Sequence, residues 1–82
     1  MGAAMNEPKY DWGETVGVSK DAPPKFRPGQ VGEICGIREV ADEIQSDATG
    51  ERVGTVMYIV EFGDGSSVEI AEQSLLPEDS TG

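Results

Sequence analysis

The sequence predicts an all-β domain of five short antiparallel strands in a strongly bent, partly open barrel. Apolar residues recur at a period of two, as in Val56, Tyr58, Val60 and Phe62, where a helix would repeat them every three or four. Glycine and proline punctuate the chain into runs of strand length. Five strands in about 70 residues cannot form two full sheets, and a bent sheet is the economical way to protect their edges.

Residues 1–9 mix Gly, Ala, Asn and Pro without a period and read as a flexible tail. Val16 and Val18 alternate with Thr15 and Gly17, as in a short half-buried strand. Ser19 to Pro28 holds three prolines and reads as a loop. Val31 to Val40 is the second strand, interrupted by Gly32 and Gly36 where a small barrel must bend or bring backbones close. Ala41 to Gly54 is polar and reads as a long mobile loop. A helical turn over Ala41–Ser46 would be too short to stand alone.

Thr55 to Phe62 is the strongest strand, with Met57 and Ile59 making its second face apolar too. Such a strand is central, or its second face is covered or used. Gly63-Asp64-Gly65 is a hairpin turn. Ser66 to Ile70 returns with Val68 and Ile70 inward and Glu69 outward. Ala71–Ser74 reads as one 3₁₀ or helical turn, Leu75 and Leu76 close the core, and residues 78–82 fray. The single domain is thus expected over residues 10–77, a size for one small core.

Of the 82 residues, 37% are apolar and 27% charged. No run is long and apolar enough to span a membrane, and no basic-then-apolar leader opens the chain, so a cytoplasmic protein is expected. Cys35 is the one cysteine, which fits a reducing compartment. It is expected to be a buried thiol, since the acidic surroundings do not favour a thiolate. There is no histidine, which removes the commonest general base and metal ligand. No catalytic set, cofactor loop or metal motif is found, and no enzyme is expected. Asp42, Glu43, Asp47 and Glu51 miss the calcium-loop spacing.

The net charge of -10 falls wholly on residues 31–82, because acids and bases balance over residues 1–30. That field repels phosphate backbones and attracts basic partners. Expected is a basic protein partner, with no direct nucleic acid and no membrane. The candidate carriers are Glu33, Glu39, Glu61, Glu69 and Glu72 on or beside strands, then Asp42, Glu43 and Asp47 on the loop. Tyr10 and Trp12 would cover one open end of the barrel, as a small core needs every large side chain, or form an exposed anchor. Trp12 is the candidate anchor. Phe26, Tyr58 and Phe62 near Asp64 suggest a cage for methylated lysine, an idea that fails if Tyr58 or Phe62 is buried. The two apolar faces of the third strand leave monomer and weak homodimer open.

Phe26-Arg-Pro-Gly-Gln-Val-Gly-Glu-Ile, Tyr58-Ile-Val-Glu-Phe-Gly-Asp-Gly and Val68-Glu-Ile-Ala-Glu-Gln-Ser-Leu-Leu together resemble the SH3-like small-barrel superfamily, with its Tudor and KOW-type members. The resemblance covers about residues 14–77 and implies an SH3-like barrel and a binding role, with a Tudor- or KOW-like adaptor for a protein tail or ribonucleoprotein as one form. Tyr10-Asp-Trp-Gly-Glu-Thr-Val, the Gly-x-x-Gly pair, the Tyr-x-Val strand, Glu72 before Leu75-Leu76, and Ser80-Thr81-Gly82 are similar to a family of predicted immunity proteins of bacterial polymorphic toxin systems. That similarity implies a small cytoplasmic inhibitor that occludes a toxin. The chain departs from the pattern in its more acidic second half and in having no Trp after the Asp-Gly hairpin.

Overall fold

The computed structural model describes residues 8–77. The tail and fraying end expected at 1–9 and 78–82 lie outside them, except for Pro8 and Lys9. Strand β3 (Val56–Phe62) is the centre of the architecture, with β2 (Val31–Glu39) and β4 (Ser67–Ala71) antiparallel on its two sides. β1 (Thr15–Val18) pairs with β2, and β5 (Leu75–Pro77) pairs with β1. All five strands form one antiparallel sheet in the order β4-β3-β2-β1-β5.

The two edge strands of that sheet are joined by a single 3₁₀ turn, Glu72–Ser74. So short a link spans at most about 14 Å, whereas a flat sheet would hold its outer strands about 19 Å apart. The sheet must curl until its edges nearly meet, yet β4 and β5 are not paired, so it does not close into a barrel. The sequence supplies the bend. A bulge between Ile34 and Gly36 leaves Cys35 without a partner on β3, and bulges bend and twist the strand that carries them. At Gly32 the crossing is so tight that a Cβ would sit 2.6 Å from Val60 Cγ1 and 2.7 Å from the Glu61 carbonyl oxygen.

Inside the curl lie Val16, Val18, Ile34, Val40, Val60, Ile70 and Leu75 around Tyr58, which is 0% exposed. The loop from Ser19 to Gln30 contributes a 3₁₀ turn, Pro24–Phe26, whose Phe26 joins this core. Arg27 ends that turn in the left-handed region (φ 62) and sets its guanidinium 4.4 Å from the centre of the Phe62 ring. Its Nη2 also donates to Asp64 in the β3–β4 hairpin at 3.1 Å. Hydrogen bonds from Ser66, then from Arg27, hold the Asp64 carboxyl well below the usual carboxylate range. The hairpin is a three-residue loop over Gly63–Gly65, with Gly65 at φ 89 as such loops require.

Four expectations are corrected here. The stretch from Ala41 to Gly54 is more than a loop, because it holds helix α1 (Glu43–Thr49). Asp42 caps α1 by accepting from the Gln45 N–H at 3.0 Å, and Gly50 ends it at φ 77. These caps stabilise seven residues that bury nothing, and Ile44 on them is 81% exposed. Leu76 does not close the core. Alternation along β5 turns Leu75 in and Leu76 out, leaving the latter 50% exposed. Cys35 is exposed rather than buried, because it lies on the bulge, one step from inward-facing Ile34. The methyl-lysine cage is excluded, since Phe26, Tyr58 and Phe62 are all buried.

The expected second apolar face of β3 divides. Met57 is buried, and Ile59 is partly exposed with its side chain against Gly36. On that face Arg38 of β2 reaches across β3 to Glu69 of β4, through Nε to Oε2 and through Nη2 to Oε1 at 2.8 Å. Arg38 also donates to the Gln45 side chain at 2.7 Å, which ties α1 to the sheet.

Candidate functional site

Strand register sorts the outward-facing side chains into rows. In one row Gly17 of β1 stands between Val31 of β2 and Leu76 of β5. With no side chain at Gly17, the two apolar neighbours are left uncovered, at 47% and 50% exposure. The next row runs Thr15, Glu33, Glu61, Ser67 across β1 to β4, and all four are exposed. Beyond it lies the row of Gly36, Ile59 and Glu69.

Glu33 and Glu61 are therefore directly opposed across β2 and β3. Neither forms a salt bridge among the described residues. Like charges at opposed positions destabilise a sheet, and a basic partner would remove that cost. Exposed apolar side chains lie on both sides of the pair, Val31 and Leu76 on one and Ile59 on the other.

The remaining sequence candidates are used within the fold. Glu69 is half-buried and bound to Arg38, which holds its carboxyl below the usual range. Glu72 accepts from the Lys9 N–H at 2.9 Å and from the Tyr58 hydroxyl at 2.7 Å, both at Oε2. Burial and the Glu72 hydrogen bond push the Tyr58 phenol up to about 12. Glu39 is half-buried at the end of β2. Asp42 is spent on capping α1, while Glu43 and Asp47 are exposed along it. Thus the structure brings together Glu33 and Glu61 and separates them from the α1 acids in role.

Tyr10 and Trp12 part company. Tyr10 is buried and covers the core edge-on to Tyr58, as expected of an end cover, but Trp12 is 64% exposed. The cause is a β-turn, Asp11-Trp12-Gly13-Glu14, closed by the Glu14 N–H on the Asp11 carbonyl at 3.1 Å. Gly13 supplies the positive φ, 79°, that the third position of a type II turn requires. An extended segment would have kept both rings on one face; the turn reverses the second. Pro8, Lys9, Tyr10, Asp11, Trp12, Glu14 and Ile37 line an open cleft of about 490 Å³ here.

Sequence reasoning flagged Ile59 on a face to be covered or used but missed Val31 and Leu76 as surface residues, along with Asp11 and Glu14 beside Trp12. Strict alternation through Leu75-Leu76 would have found Leu76, and an Asp-x-Gly-Glu turn signal the other two.

Among the described residues no group of three or more His, Cys, Asp or Glu is arranged to hold a metal ion. No helix among the described residues is long and apolar enough to cross a membrane. In comparisons with known proteins, no family model, no curated protein and no solved structure matches this chain.

Proposed function

We propose that this chain is a non-enzymatic acidic binding module that covers a basic protein partner, in the manner of an immunity-type inhibitor. The observation that carries the reading is the opposed, unpaired Glu33–Glu61 pair set among exposed Val31, Leu76 and Ile59. A mixed surface of this kind suits a partner that brings both a cationic group and apolar contact. A second copy of the chain suits it poorly, because face-to-face packing would gather four carboxylates. The strand order and the 3₁₀ turn before β5 support an SH3-like frame, and the net charge of -10 supports steering toward a basic surface.

The test is a low-salt pull-down from the source organism's lysate with the native chain and with E33Q/E61Q, eluted by salt. The reading expects one basic protein that the native chain retains and the variant releases at lower salt. The variant itself should be as stable as the native chain or more so, by up to about 1 kcal/mol, since it loses the like-charge contact. Equal capture by both forms, or capture only of abundant basic proteins in general, would sink the reading.

A further inference from the structure

We infer that the Trp12 turn is a receptor for an arginine side chain of the basic partner. The guanidinium would stack on the indole and pair with Asp11 and Glu14. This deepens the reading above and rests on it.

A large aromatic is normally withdrawn from water in so small a protein, yet Trp12 is 64% exposed on a backbone that has little freedom. The Asp11 N–H donates to Glu14 Oε1 at 2.9 Å, and the Trp12 N–H donates to Asp11 Oδ1 at 2.9 Å. The Gly13 N–H donates to the Ile34 carbonyl at 2.8 Å, and the Ile34 N–H donates to the Glu14 carbonyl at 2.9 Å. The turn is stapled to itself and to β2, so the indole is presented with its ordering cost already met by the fold.

Charge complementarity selects the occupant. Asp11 and Glu14 flank the indole, and the turn engages Oδ1 of one and Oε1 of the other, leaving the second oxygen of each outside the turn's own bonds. An anion would face both carboxylates, with the side chain of Lys9 as the one cation lining the cleft. A purely apolar side chain would desolvate the carboxylates without pairing them. Arginine meets both demands, because its planar guanidinium stacks on an aromatic face while its N–H fork meets carboxylates, which the compact ammonium of lysine does less well.

Trp12 is the chain's one tryptophan, so its emission reports occupancy of this site alone. The probe is a blocked Gly-Arg-Gly-Arg-Gly peptide, titrated at low salt beside the same peptide with lysine. The inference expects the arginine peptide to shift or quench the emission at a several-fold lower concentration than the lysine peptide. D11N/E14Q should weaken that response several-fold. The amides keep the oxygens that hold the turn, so circular dichroism and thermal unfolding should be unchanged. The control D21N/E51Q removes the same charge from elsewhere on the surface and should respond like the native chain. With the partner from the pull-down, W12A should lose about tenfold or more in affinity. Equal response to arginine and lysine, equal weakening by the control, or undiminished partner binding by W12A would overturn the inference. Those results leave the Glu33–Glu61 reading standing, since E33Q/E61Q tests it separately.

Discussion

Tyr10 and Tyr58 are bound to one another twice. The Tyr10 N–H donates to the Tyr58 phenolic oxygen at 3.1 Å, and the rings meet edge to face with centroids 5.5 Å apart and 69° between their planes. Tyr10 then passes on to β5, its hydroxyl donating to the Leu75 carbonyl at 3.2 Å. Tyr58 completes the chain of bonds by donating to Glu72. One pair thus links the N-terminal segment, the central strand, the 3₁₀ turn and the last strand.

Removing only the Tyr58 hydroxyl strands its partners. Tyr58→Phe leaves the Tyr10 N–H without its acceptor and takes a donor from Glu72. We expect a loss of about 1–3 kcal/mol in urea unfolding, with the denaturant slope unchanged. A loss below about 0.5 kcal/mol would mean that water replaces the phenol without cost.

The same phenol sets an alkaline limit. Its folded-state pKa is raised to about 12 by burial and Glu72, above the value of about 10 in an unfolded chain. The neutral phenol's contribution is fully present below about pH 10 and is lost as pH rises through the folded value. Stability of the native chain should therefore fall more steeply between about pH 10 and 12 than that of Tyr58→Phe. Parallel profiles would refute this.

Two glycines in the sheet should behave oppositely. Gly32→Ala drives a methyl into Val60 and the Glu61 backbone, and the backbone cannot swing aside. The expected cost is about 1–3 kcal/mol. At Gly17 the nearest atom to a new Cβ is the Gln30 carbonyl oxygen at 3.9 Å, an ordinary contact. Gly17→Ala should be neutral or stabilise by about 0.4–1 kcal/mol through the unfolded chain. Thermal unfolding of the two variants side by side decides the matter.

At the acid limb the Arg38–Glu69 pair is the group to follow. The Arg38 hydrogen bonds lower the Glu69 carboxyl below its ordinary value. Its contribution is present above the unfolded pKa of about 4.3 and is lost as pH falls through the lowered value. Glu69→Gln should thus be less stable than the native chain at pH 7, by about 1 kcal/mol or less for so exposed a pair. The gap should narrow below about pH 4. A gap constant with pH would assign the loss to geometry rather than charge.

Where a feature depended on local pattern, the residues announced it. Val56, Tyr58, Val60 and Phe62 read as one face of a strand, and Gly63-Asp64-Gly65 as its hairpin, because alternation and positive φ leave direct marks in sequence. Ala71–Ser74 was legible as a turn, of which Glu72–Ser74 is the 3₁₀ turn and Ala71 the last residue of β4. Helix α1 was not, since no apolar stripe marks a helix that buries nothing. Its signals were only Asp42, Gln45 and Gly50 at its caps. The opposition of Glu33 and Glu61 depends on a register between strands about 28 residues apart, which no window along one strand contains. Trp12 could be read from the sequence either as cover or as an exposed anchor; Tyr10, two residues earlier, takes the covering place, and the Gly13 turn leaves the indole exposed.

The link between the sheet's outer edges has a consequence in time. β1 is made before the other four strands, but its second flank is covered only by Leu75–Pro77, the last of the five. A nascent chain can zip β2, β3 and β4 together through neighbouring connections while Val16 and Val18 still face an open side. Completion waits for a contact across nearly the whole sequence, the kind that slows folding most. Chains released before residue 75 would thus expose the first strand as a bare template for pairing with one another.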